Sequence, residues 1–112
     1  MNKYKAILEE ARKDFGINDD FKIIMKKMKV KAASISFKTR VIRINKELDC
    51  DPEFINYLIY HELAHYKLDT KLHSKEFYEL LGSKLGEEKV KILEKKILRK
   101  MLEINHISRY FD

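Results

Sequence analysis

Cysteine, proline, glycine and tryptophan are scarce or missing in this chain. Its 112 residues include one cysteine, one proline, three glycines and no tryptophan. The lone Cys50 excludes an internal disulfide, and with it the class of small secreted domains that disulfides hold together. A chain of this kind fits a reducing compartment, and we expect a cytoplasmic location.

Long hydrophobic runs are missing as well. No run of about 18 apolar residues occurs, so the sequence contains no predicted transmembrane helix. The start, Met-Asn-Lys followed by further charged residues, lacks the pattern of a signal peptide. The length suits one domain with a modest core, and we predict a single domain over residues 1–112.

Positive charge is in excess. There are 24 lysine and arginine residues against 18 acidic residues, a formal net charge of +6. Lysines are concentrated at positions 22–31 and 89–100, where the second group is interspersed with glutamate. We interpret these residues as solvated surface and do not expect a nucleic-acid partner. DNA affinity that falls steeply with salt would support the alternative.

Residues 61–65 read His-Glu-Leu-Ala-His, the pattern HExxH. On a helix, His61 and His65 project from one face, so both imidazoles can reach a single ion. Glu62 can hold a water against that ion and take its proton. This pattern is typical of zinc hydrolases and predicts a zinc site.

The residues around the motif predict a helix. Asp51 can cap free backbone N–H groups, Pro52 suits the first helical position, and the helix is predicted to end near Asp69. An apolar stripe at helical spacing consists of Ile55, Leu58, Ile59 and Tyr66. Glu62 lies inside this stripe, where a carboxylate is costly unless a cation lies nearby.

A third ligand should come from downstream, since catalytic zinc usually has three protein ligands and keeps a fourth position for water. His73 is the leading candidate. It follows a short break at 69–71 and precedes a helix predicted to begin near Ser74, so a chain reversal could return it to the ion. Glu76 and Glu79 on that helix are the alternatives.

The remaining pattern predicts an α+β fold. The predicted elements are a helix at 3–15, a strand at 21–30, a hairpin of strands 33–37 and 40–45, the motif helix, a helix from Ser74 to about Leu85 and a helix from Glu87 to about Ile107. This order predicts a small, mainly antiparallel three-stranded sheet packed against the motif helix and the other helices.

The motif and the residues after it resemble a known group of enzymes. The segment 61–65, followed by His73-Ser74, Phe77 and Leu80-Leu81, resembles the SprT-like and related small zinc metallopeptidases. In those proteins an HExxH helix is followed by a His-Ser/Gly-x-x-Phe segment that carries the third ligand. The small size is similar to that of the minigluzincins, minimal metallopeptidases that include selecase-like archaeal proteins. The resemblance covers residues 34–81.

The resemblance implies a zincin-like domain with the activity of a zinc-dependent endopeptidase, acting on a peptide or protein substrate. One catalytic Zn²⁺ would be held by His61, His65 and His73, and Glu62 would act as general base and then protonate the leaving amine. Gluzincins themselves use a glutamate as third ligand, which keeps Glu76 and Glu79 open. The single cysteine excludes the zinc ribbon of longer SprT-like proteins.

Two further parts of the site are expected, and the spacing does not locate them. A donor to the developing oxyanion is often Tyr or His in such enzymes, and the candidates are Tyr60, Tyr66, Tyr78, His106 and Tyr110. An extended substrate commonly pairs with a sheet edge. Strands 33–37 and 40–45 are the candidates for that edge, and an interior strand pair without substrate contact is the alternative.

The groups in the C-terminal tail that could bind zinc lead us to predict self-inhibition. The tail offers His106, Asp112 and the terminal carboxylate, all able to bind zinc. We expect that it could fold over the cleft or swap into a neighbouring subunit, so that a homo-oligomer is less active. Truncation after Arg99 would test this. A helix packed on the domain with a frayed tail is the alternative.

A function of another class stays open at this point. A zinc-stabilised, non-catalytic module could bind nucleic acid or protein through its lysine-rich surface. Glu62→Ala separates the two functions, because loss of peptide hydrolysis with zinc and fold retained supports the enzyme.

Overall fold

A computed structural model describes residues 3–105, in which four α-helices and three β-strands are found. In chain order these elements are α1 (Lys3–Phe15), β1 (Lys22–Lys26), β2 (Ala33–Ser36), β3 (Val41–Asn45), a short 3-10 turn (Lys46–Leu48), α2 (Pro52–Leu68), α3 (Lys75–Leu85) and α4 (Glu87–Asn105). The predicted α+β class with a three-stranded sheet is confirmed.

The first predicted strand is shorter than expected. It was predicted to span 21–30, and β1 covers only Lys22–Lys26. The side-chain amide of Asn45 donates to the backbone carbonyls of Met28 and Lys31, at 2.9 and 3.1 Å. These bonds hold the segment after β1 in a loop, because its carbonyls are satisfied by a side chain and not by a neighbouring strand.

The sheet is mixed, which corrects the expectation of a mainly antiparallel one. Its strand order is β1-β3-β2. β2 and β3 form the predicted antiparallel hairpin, whereas β1 pairs with β3 in parallel. The hairpin occupies one side of β3, and β1 lies on the other side. The chain reverses between β1 and β2 and again between β2 and β3, so β1 runs parallel to β3. β3 is therefore interior, and β1 and β2 are the edges.

The motif helix α2 lies at the centre of the molecule. It contacts α1, α3, α4 and strands β2 and β3, and its residues are buried almost without interruption from Phe54 to His65. A helix that is apolar on nearly all sides is stable only when other elements surround it. Among the helices described, none is long and apolar enough to cross a membrane.

The ends of α2 determine where the motif and the following loop lie. The Asp51 side chain accepts a hydrogen bond from the Glu53 N–H at 2.9 Å, and Pro52 begins the helix, as predicted. Asp69 ends it in the left-handed conformation, with φ 53°, and its N–H bonds to the last turn. The chain then reverses, and α3 begins after Ser74, whose hydroxyl accepts from the Phe77 N–H at 3.2 Å.

Candidate metal centre

Three imidazole rings meet where the loop after α2 turns back over that helix. The Nε2 atom of His73 lies 3.1 Å from Nε2 of His61 and 3.2 Å from Nε2 of His65. The potential ligand atoms of the three residues all lie within 4.8 Å of one another. The helix brings the first two together because they are one turn apart, and the chain reversal adds the third.

The other ring nitrogen of His61 and of His65, Nδ1, lies within hydrogen-bond distance of an oxygen that can accept from it. His65 Nδ1 lies 2.9 Å from the backbone carbonyl oxygen of Thr70, which can only accept. His65 Nδ1 therefore carries the hydrogen, and Nε2 presents a lone pair. His61 Nδ1 lies 3.1 Å from the hydroxyl oxygen of Tyr57. Orientation of ligand histidines through the second nitrogen is the usual arrangement in metal sites.

These distances and donor types fit a zinc ion. Zinc binds imidazole nitrogen at about 2.0–2.1 Å, and a tetrahedral site then separates two ligand nitrogens by about 3.3 Å. The separations of 3.1 and 3.2 Å in the cluster are close to this value. Three neutral nitrogen ligands that leave a fourth position open are typical of catalytic zinc.

Burial keeps His61 in the neutral form that could bind a metal ion. His61 and His65 are 0% exposed, and His73 is half-buried. Burial, followed by the proximity of His65 and His73, lowers the pKa of His61 well below its ordinary value. The imidazole of His61 is therefore neutral near neutral pH, with a lone pair available.

Phe77 forms an apolar wall against all three histidines. It is fully buried on α3, and its ring stacks on His65 with a centroid distance of 4.4 Å. The same ring meets the edges of His61 and His73 at 4.8 and 5.3 Å. Such a wall limits rotation of the imidazoles and excludes water from one side of the cluster.

Glu62 is buried in α2 directly after His61, with 3% of its surface exposed. The sequence pattern predicted this burial from the position of Glu62 within the apolar stripe. A buried carboxylate next in sequence to a potential metal ligand is able to act as a general base.

The structure separates His73 from the two alternative ligands. Glu76 and Glu79 are exposed on α3, and neither belongs to the group of potential metal ligands found among residues 3–105. The side chain of His73 leaves the loop toward α2, whereas α3 turns its glutamates to solvent.

The candidate oxyanion donors have different surroundings. The Tyr60 hydroxyl donates to Asp14 on α1, and the Tyr66 hydroxyl donates to Asp19 at 2.6 Å. Tyr78 is closer to the cluster, since its ring centroid lies 6.4 Å from that of His73. Burial is the largest cause that raises the pKa of both Tyr60 and Tyr78 above the ordinary phenol value. Two further candidates, His106 and Tyr110, lie outside the described residues.

Two residues of the site were missed by sequence reasoning. The Tyr57 hydroxyl donates to Glu94 of α4 as well as contacting His61. Burial and then the Glu94 carboxylate raise the pKa of Tyr57 above that of an ordinary phenol, so its hydroxyl keeps its proton. The spacing of Tyr57 and His61, four residues apart on one helix, was an available signal. Nothing in the sequence links Glu94 to the motif.

The sequence matches one protein family over most of its length. A sequence profile of the YgjP-like metallopeptidase domain matches residues 2–99. An uncharacterized protein of Methanocaldococcus jannaschii is 35% identical over 100 residues, which span 88% of this chain and 91% of that protein. An uncharacterized protein of Aquifex aeolicus is 39% identical over 88 residues, spanning 74% of this chain and 80% of the relative.

Solved structures of two archaeal metallopeptidase zymogens are similar to the fold described above. Abylysin of Pyrococcus abyssi superposes with a TM-score of 0.81 at 27% identity, covering 97% of this chain and 99% of its own. Jannalysin of Methanocaldococcus jannaschii superposes with a TM-score of 0.78 at 34% identity, covering 90% and 99% of the respective chains.

Proposed function

The chain belongs to the YgjP-like metallopeptidase family, and from that premise we propose that it is a zinc-dependent endopeptidase with His61, His65 and His73 as metal ligands and Glu62 as general base. The metallopeptidase activity follows from the family. The observation that supports the rest is the convergence of three Nε2 atoms beside a buried glutamate.

The proposed chemistry divides between the metal and the side chains. When bound, zinc supplies a Lewis acid that lowers the pKa of water and polarises the scissile carbonyl. The Glu62 carboxylate takes the proton that the attacking water loses and gives it to the leaving amine. Phe77 keeps one side of the three histidines apolar, which strengthens electrostatic interactions at the cluster.

The proposed substrate lies extended along β2. β3 pairs with a strand on each side, which leaves it no free edge, whereas β2 is an edge strand. Lys71, from the loop that carries His73, donates to the backbone carbonyl of Ile35 in β2, and its ammonium lies 4.6 Å from the centroid of the Phe37 ring. The loop of the metal cluster therefore adjoins the edge at which a peptide backbone could pair.

Self-inhibition is the second part of the proposal. The solved structures of abylysin and jannalysin are those of zymogens. Together with the zinc-binding groups of the C-terminal tail, this supports inhibition of this chain by its own tail or by self-association. The groups concerned, His106, Asp112 and the terminal carboxylate, lie outside the described residues.

Glu62→Gln tests the catalytic proposal, because it removes the base and keeps the size of the side chain. We expect about one zinc per folded chain in both proteins, and casein digestion about 10²–10⁴-fold slower in the variant, the range for loss of general base catalysis. A chelator should abolish digestion by the unmodified protein, and added zinc should restore it.

Glu53→Gln is the matched control on the same helix. Glu53 is an exposed residue that forms a surface ion pair with Lys89 at 3.7 Å, an interaction of little energetic weight. Digestion by this variant should equal that of the unmodified protein. Folded protein that binds no zinc when zinc is supplied, or digestion that a chelator leaves unchanged, would contradict the proposed function.

A further inference from the structure

A chain of hydrogen bonds connects α4 to the metal cluster. The Tyr57 hydroxyl donates to Oε2 of Glu94, and its oxygen lies 3.1 Å from Nδ1 of His61. Tyr57 is 0% exposed, and Glu94 is half-buried between α4 and its neighbours. The three residues come from two helices, and Tyr57 links the Glu94 carboxylate to the imidazole of His61.

The proton positions along this chain are determined by the donor inventory. A carboxylate only accepts, so the single proton of the Tyr57 hydroxyl is directed to Glu94. The Tyr57 oxygen can then serve only as an acceptor toward His61, which requires the hydrogen of the imidazole to be on Nδ1. His61 Nε2 is left unprotonated, and this is the atom that lies 3.1 Å from Nε2 of His73.

We propose that Tyr57 and Glu94 are positioning residues of the metal centre, which hold His61 in the Nδ1–H tautomer with Nε2 directed at the metal. This inference rests on the proposed function, in which His61 is a metal ligand. Toward His61, Glu94 acts through Tyr57, so its effect on that ligand depends on the Tyr57 hydroxyl.

Glu94 also contacts the part of the molecule that carries His73. The Tyr78 hydroxyl donates to its other oxygen, Oε1, at 3.3 Å, and the Tyr78 ring lies 6.4 Å from that of His73. One carboxylate on α4 thus receives hydroxyl groups from both α2 and α3. Oriented hydrogen-bond partners behind ligand histidines typically change metal affinity by about 10–100-fold when they are removed.

The test uses Tyr57→Phe and Glu94→Gln in the full-length chain, with zinc affinity measured by competition against a chromogenic chelator. Tyr57→Phe keeps the ring and removes the hydroxyl, so zinc affinity should fall by about 10–100-fold. Glu94→Gln keeps the shape and removes the charge that polarises the hydroxyl. For Glu94→Gln we expect a smaller loss of zinc affinity than for Tyr57→Phe. If Tyr57→Phe does not fold, Glu94→Gln alone tests the proposal.

The double variant shows whether Glu94 acts through Tyr57. If Glu94 acts on His61 through Tyr57, Glu94→Gln should cause little further loss of zinc affinity once the Tyr57 hydroxyl is absent, so the two effects are strongly non-additive. Tyr60→Phe is the matched control. Tyr60 lies on the same helix as Tyr57, and its hydroxyl also donates to a carboxylate, but that carboxylate belongs to Asp14 on α1. Tyr60→Phe should lower the melting temperature without changing zinc affinity.

Nitrogen NMR of the imidazoles gives a readout that packing alone would not change. In the unmodified protein without zinc, His61 should show a protonated Nδ1 in slow exchange with water, and in Tyr57→Phe that signal should weaken or shift toward the other tautomer. Zinc affinity within twofold of the unmodified protein in both single variants, or an additive double variant, would overturn the inference. Absence of zinc binding in the unmodified protein would instead refute the proposed function itself.

Discussion

Among the three histidines of the cluster, His73 differs from the other two in burial and in the element that carries it. His61 and His65 are fully buried in α2, whereas His73 is half-buried in the loop before α3. One buried residue, Phe77, nevertheless packs against the rings of all three. The loop that carries His73 begins at Asp69, the C-cap of α2, and ends at Ser74, the N-cap of α3, so both of its ends are fixed by helix caps.

His73→Ala should weaken zinc binding more than any change behind the ligands. Loss of this proposed ligand leaves two imidazoles, so we expect zinc affinity to fall by at least about a hundredfold, more than the loss expected for residues that only hydrogen-bond to a ligand. Chelator competition measures it. Glu76→Gln and Glu79→Gln, on the exposed side of α3, are the controls and should bind zinc as the unmodified protein does. If His73→Ala binds zinc as tightly as the unmodified protein and one of the glutamate variants binds it more weakly, that glutamate is the third ligand instead of His73.

At this scale the sequence predicted the cluster but not its support. His61, Glu62 and His65 belong to a local pattern, and His73 follows a local break. The contact of Glu94 with Tyr57 joins residues 37 positions apart in the sequence. Around Glu94, the sequence of α4 has the same mixture of lysine and glutamate as the rest of that helix. No periodicity distinguishes a glutamate that enters the site from one that faces solvent.

At the scale of secondary structure, the edge strand β2 is the element that the proposed substrate would extend. Antiparallel pairing with β3 uses one side of β2. The Lys71 ammonium already donates a hydrogen bond to the backbone carbonyl of Ile35 in β2. A peptide that pairs with β2 must displace this ammonium before its own N–H can donate to that oxygen.

Lys71→Ala should therefore lower KM for an extended, uncharged peptide. One hydrogen bond contributes about 1 kcal/mol, which corresponds to about fivefold in KM, and kcat should remain unchanged. Peptidase kinetics on one substrate measure both constants. Lys75→Ala removes an exposed lysine from the first turn of α3 and is the control for charge. A KM that rises or stays constant in Lys71→Ala would place the substrate backbone elsewhere.

At the scale of the whole molecule, α4 is a structural element of the core and not a removable tail. Ile97 and Met101 are fully buried, and the amide of Asn45 lies 3.7 Å from the Met101 sulfur. Truncation after Arg99, the cut that the sequence alone suggests, would remove Met101 and open a cavity, which costs about 2–5 kcal/mol for such a side chain. A cut after residue 105 keeps this part of the core.

Removal of residues 106–112 should raise peptidase activity per mole if the tail or self-association inhibits the enzyme. We expect the activity per mole of the full chain to fall as protein concentration rises, and that of the shortened chain to stay constant. Activity assays over a concentration series, with size-exclusion chromatography, measure this. A chain whose tail is replaced by a glycine-serine segment of equal length controls for chain length. Equal activity in all three proteins at every concentration would exclude self-inhibition.

The sequence by itself determined the features that depend on neighbours along the chain. The HExxH spacing places two histidines on one helix face, and the caps at Asp51 and Ser74 begin the helices that frame the loop of His73. Helical geometry and capping are local, so their signals are present in a few consecutive residues. The α+β class followed from the order of these elements.

Only the tertiary structure decided which distant residues meet. It paired β1 with β3 in parallel, made β2 an edge, directed His73 rather than Glu76 or Glu79 to the cluster, and brought Glu94 to Tyr57. Each of these results depends on how the elements pack around the buried helix α2. Packing joins segments far apart in the chain, and such contacts leave no repeating pattern along it.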